Sequence, residues 1–181
     1  YLVSQRFPDS WRNGLPSGTL IPVSYDKAEK IVVTPDETSP VTLEIPANIL
    51  NSSGRLMIPA GSQLEGNLQP ANGGTQFVAN TLILPDGTRQ AINAASNVVT
   101  ETETITEQDD PNILRGAAVG AAAAAILAEI LGSIDVLEVL AGAGVGTLAE
   151  IFLLRNKREV EVVVVYPEQL EVRLQSEYVA N

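Results

Sequence analysis

Histidine and cysteine are both missing from this chain of 181 residues. Without them there is no Ser–His or Cys–His nucleophile pair, no CxxC redox pair and no zinc site of the usual kind. Structural disulfides are impossible, so cysteine usage says nothing about redox compartment. No tightly bound transition metal is expected, because neither imidazole nor thiolate is available, and no cofactor is expected either. Positive charge is scarce: 11 Lys and Arg stand against 22 Asp and Glu, a formal charge of −11. Nucleic acid phosphates would repel such a chain, so no direct nucleic-acid binding is expected. A membrane stays open, since charges can sit away from a buried apolar face. Aromatic residues make up only 4%, so the core must rest on Val, Ile, Leu and Ala.

Neither of the two small-residue segments holds a long charge-free run. The two longest in the unusual Ala- and Gly-rich region are Gly116–Ala128 and Val139–Ala149. As helices they would cover about 20 and 17 Å, short of a hydrocarbon core of roughly 30 Å. The chain opens on Tyr1 rather than Met, and so reads as a fragment of a longer protein whose signal or anchor would lie upstream.

What is present is mostly strand signal. Residues 1–14 read as an irregular lead-in, and 15–180 as one domain. "GTLIPVSYD", "KIVVT" and "VTLEI" are short, β-branched and bounded by Pro, Asp or Ser. Residues 51–70 form a hairpin-like unit, and 75–96 a second hairpin turning at Asp86-Gly87. Residues 98–107 read as a strand with one wet face, and "EVEVVVVYP" and "QLEVRLQSEYV" as two closing strands. Six to eight strands, a pair of helices and two further strands make a mainly β protein, a barrel or sandwich.

The helix pair is the excursion at about 113–155. Eight alanines fall between Ala117 and Ala128, and Ala is the best helix former. Helices are expected over 113–131 and 136–155, broken at Gly132, with Asp135 and Glu138 as a capping box. Such a hairpin carries Arg115, Arg155, Lys157 and Arg158 at its base and Glu129, Asp135 and Glu138 at its tip. Gly116, Gly120, Ala124 and Ala128 then share one helix face at spacing four, and Gly142 and Gly146 form a GxxxG on the second helix. These six are the candidate helix–helix and oligomer contacts, because small residues let backbones approach closely. Packing of the hairpin on the protein's own β-body is the other reading. Flanked by strands, the excursion is expected to be removable, leaving a folded β-domain.

Candidate chemistry is thin. Asp109-Asp110 with Glu101, Glu103 and Glu107 lack a calcium-loop pattern and read as a solvated edge. A carboxylate-only hydrolase would have few aromatics for a sugar platform. Gly142, Gly144 and Gly146 follow no strand and do not read as a phosphate loop. The chain is therefore read as a non-enzyme with no catalytic, cofactor or metal residues.

The stretch Gly54-Arg55-Leu56-Met57-Ile58-Pro59-Ala60-Gly61-Ser62-Gln63-Leu64-Glu65-Gly66 resembles the GRxLIPxGSxLxG pattern of the TrbI family of conjugal transfer proteins, outer-membrane channel scaffolds of type IV secretion systems. "LPSGTLIPV" at 15–23, "LILPDGTRQAIN" at 82–93 and "YPEQLEVRLQSEYVA" at 166–180 resemble the family's opening strand, PDG hairpin and closing strands in order. The resemblance implies a distorted barrel with a two-helix antenna, a homo-oligomeric ring, partners among other envelope transfer proteins, outer-membrane contact and a periplasmic or outer-membrane location. The alternative function is a non-catalytic envelope β-domain that binds a peptide or protein at a strand edge.

Overall fold

Ile31-Val32-Val33 and Val162-Val163-Val164-Val165 are apolar at every position rather than at alternate ones. A strand takes that pattern when both of its faces are covered. In the computed structural model, which describes residues 14–132, 134–140 and 159–180, both faces of these strands are buried. The strands run β1 (Leu20–Ile21), β2 (Lys30–Val33), β3 (Ser39–Ile45), β4 (Ile49–Leu50), β5 (Leu56–Ile58), β6 (Ser62–Ala71), β7 (Gly74–Ile83), β8 (Arg89–Ala95), β9 (Thr102–Thr106), β10 (Ala117–Gly120), β11 (Glu138–Leu140), β12 (Glu159–Val165) and β13 (Val172–Leu174), with helix α1 (Ala121–Leu131) between β10 and β11.

One sheet has the order β1-β13-β8-β7-β6-β3, a second β11-β10-β2-β12-β9, and β4 pairs with β5 as a separate hairpin. Successive residues of the second sheet face opposite ways. Ile31, Val33, Ala118, Val163 and Val165 join the core between the two sheets. Val32, Ala117, Val119, Val162 and Val164 join a second core with Ala123, Ala124 and Leu127 of α1. The layers are therefore sheet, sheet and helix.

In all, 49% of the described residues lie in strands against 12% in helices, which makes the protein mainly β, with a curled half-barrel sheet. Bulges at Glu65/Gly66 and Ala79/Thr81 interrupt the ladder of β6, β7 and β8 and bend it. Gly66 sits at the first of them, where a Cβ would lie 2.1 Å from the Val78 carbonyl oxygen.

The expected hairpin at 75–96 is present as β7 and β8, and Asp86 shapes its turn by accepting from the Thr88 N–H at 2.8 Å. The two closing strands are β12 and β13. The two-helix hairpin is not what the described residues form. Residues 117–120 are β10, not helix, and pair in parallel with both β2 and β11. Only Ala121–Leu131 of the first expected helix is α-helical. The second gives way at its start to strand β11, so Asp135 and Glu138 are no capping box, and 141–155 lies outside the described residues. Propensity favoured helix, but strand partners on two sides and burial on both faces outweighed it.

Candidate functional site

Parallel strands need a crossover, and α1 supplies it between β10 and β11. β11 therefore runs back alongside β10 instead of projecting away from the body. That register brings Arg115, expected at a hairpin base, to 3.4 Å from Asp135, expected at its tip. The small residues do not share one helix face. Gly116 occupies a turn with φ of 82° ahead of β10, where its carbonyl accepts from the Glu29 N–H at 3.1 Å. Gly120 ends β10 and caps α1. Only Ala124 and Ala128 lie together on the helix, and Ala124 is buried against the protein's own sheet. Gly142 and Gly146 lie outside the described residues.

β11 is the edge of its sheet among the described residues. The Leu137 N–H donates to the Ala117 carbonyl at 2.9 Å, which turns the amides of Leu137 and Val139 inward to β10. By alternation those of Glu138 and Leu140 turn outward. Leu137 is 63% exposed and Val139 50%, two apolar side chains at spacing two on one face of this edge.

Beside the edge opens a cleft of about 510 Å³ whose lining includes Tyr25, Lys27, Glu29, Arg115, Leu137 and Glu168. That volume lies within the range of ligand clefts. The Tyr25 hydroxyl donates to Glu138 Oε2 at 3.5 Å. Burial first, and the Glu138 carboxylate second, push the Tyr25 phenol from 10.0 up to about 12. Lys27 stands 3.9 Å from Glu138; at such distances and exposures the pair contributes little. Asp26, also on the cleft, neighbours Glu44, whose carboxyl is raised above its ordinary value chiefly by the Asp26 carboxylate. Among the described residues there is no group of three or more carboxylates suited to a metal ion.

A second constellation was not found by sequence reasoning. Glu37, in the turn after β2, is 4% exposed. Its Oε2 accepts from the Thr34 N–H at 2.6 Å and from the Ala123 N–H at 3.0 Å, and its Oε1 accepts from the Ser39 hydroxyl at 2.8 Å. Ala123 is the third residue of α1, so this carboxylate, 86 positions away in sequence, meets the unsatisfied donors and positive dipole end of the helix. Gly120 supplies no side-chain cap. The available signal was a small one: an Ala-rich helix start without Ser, Thr, Asp or Asn at its cap.

Among the described residues no helix is long and apolar enough to cross a membrane. The 11 residues of α1 span about 16 Å. No family model matches the chain and no curated protein matches it.

Proposed function

We propose that this chain is a non-catalytic structural module that works by docking to other protein chains, copies of itself foremost, through the outer edge of β11. The single observation that carries the reading is that edge: outward-turned amides at Glu138 and Leu140 flanked by the exposed Leu137 and Val139. A strand edge of this kind is a template for another strand. The opposite edge of the same sheet, β9, carries Glu103 on the strand and Glu101 and Glu107 beside it, and like charges there oppose pairing. The resemblance of 54–66 to the TrbI pattern supports a reading of the module as one subunit of a homo-oligomer in an envelope transfer channel of the conjugation type, at the periplasmic side or outer membrane, with other envelope proteins as partners.

The cleft favours a second reading, in which a foreign extended peptide pairs with β11 and places a side chain beside Tyr25 and Leu137. Self-pairing does not need that cleft.

Val139→Lys tests the edge, since a lysine on an edge strand opposes pairing. Mass by light scattering over a range of concentrations, with and without detergent, should show an oligomer for the parent and a monomer for the variant at unchanged melting temperature. An oligomer of equal mass in both would overturn the edge reading. A parent that is monomeric throughout would remove the self-assembly reading and leave the peptide one.

A further inference from the structure

Gly120 has φ −58° and ψ 150°, a conformation open to any residue, yet no side chain fits there. A Cβ would lie 1.9 Å from Glu37 Oε1 and 2.7 Å from the Ser39 hydroxyl oxygen. The glycine is required by these two side chains, the carboxylate foremost, and not by the backbone. β2 and β10 run parallel, so the turn that carries Glu37 and the start of α1 emerge at the same end of the sheet. At that end, where a helix N-terminus in such folds commonly receives an anion, the chain places its own.

The attachments on either side of this contact differ in strength. β10 is pinned: Ala117, Ala118 and Val119 are wholly buried and shared between the two cores. α1 is held by three small buried side chains, Ala122, Ala123 and Ala124, with Ile126 and Leu127. β11 pairs only with β10 among the described residues, and Leu140 is its one buried side chain. Alanine buries little apolar surface, so polar anchoring at the helix start carries an unusual share of the attachment.

We propose that Glu37 is the latch of a detachable element. Its carboxylate holds α1, and β11 behind it, against the second sheet; when the carboxylate leaves, α1 and β11 open together while the six-stranded sheet and β10 stay folded. Opening uncovers Val32, Val119, Val162 and Val164 and frees the small-residue face of α1, so the closed form is the one in which that surface is withheld from other chains. The contacts that form the latch do not include the outer edge of β11, so the proposal does not rest on what docks there.

Native-state hydrogen exchange tests it on the intact chain. In Glu37→Gln, where an N–H₂ replaces one accepting oxygen, the amides of 124–131 and those of Leu137 and Val139, which face β10, should exchange about tenfold faster or more, while those of 62–71 and 74–83 keep their parent rates. Equal acceleration in both regions, or none in either, would overturn the latch. Should Glu37→Gln fail to fold, Ser39→Ala removes one of the three hydrogen bonds and gives the same comparison. A coupling test is independent of exchange: Gly120→Ala should lower the denaturation midpoint strongly in the parent and less in Glu37→Ala, where the nearer collision is gone and only the Ser39 hydroxyl, free to rotate, remains. An equal cost in the two backgrounds would show that the contact is not what requires the glycine.

Discussion

At the scale of single residues, Tyr25 reports on the cleft. Its phenol is raised from 10.0 to about 12 by burial and by Glu138. The folded value lies above the unfolded one, so its contribution to stability is complete below about pH 10 and is lost as pH rises towards 12. Tyr25→Phe should therefore flatten the alkaline fall in stability over that window, checked by urea midpoints at successive pH values. An unchanged alkaline slope would mean the ring is solvated. Glu44 acts in the acid range with the same sign: its raised carboxyl favours the fold below the ordinary carboxylate range and ceases to do so once it ionises. Neither residue stands out in the sequence, because each shift depends on a partner brought in by folding.

At the scale of elements, α1 decides whether the small residues serve this chain or its neighbours. Ala124 is buried in the second core with Val119, Val162 and Val164, whereas Ala128, one turn further on, is only partly buried. Ala124→Leu should overpack that contact and cost ~1–3 kcal/mol, and Ala128→Leu should change stability by less than ~0.5 kcal/mol. Denaturant midpoints at constant slope check both. If instead Ala128→Leu abolishes an oligomer that Ala124→Leu leaves intact, the outer side of α1 is a contact between chains. β10 shows the limit of propensity. Its Ala-Ala-Val-Gly sequence carries no strand preference that could outweigh five following alanines, and it is a strand because β2 and β11 flank it.

At the scale of the whole molecule, the excursion turns out to be joined to the body. Flanking strands made 114–155 look replaceable by a short linker, but that deletion removes β10, α1 and β11 together, strips β2 of its partner on that side and uncovers Val32. The deleted chain should lose cooperative unfolding, seen as a broad, weak calorimetric transition; a sharp one near the parent temperature would restore the removable-hairpin view. The strands around the excursion were legible in the sequence because their signals are local: alternation in β13, unbroken valines in β12, and Asp86 accepting from Thr88 across its own turn. The chemistry ruled out by missing histidine and cysteine was equally a matter of composition. What folding alone decided is long-range. The parallel pairing of β10 and β11 sets Arg115 beside Asp135, and a carboxylate 86 positions from Ala123 caps α1. Pairing partners and buried donors at such separations leave no periodicity in the chain, so the sequence determined the strands and turns that carry local signals, and the tertiary structure decided which of them meet and made strands of β10 and β11.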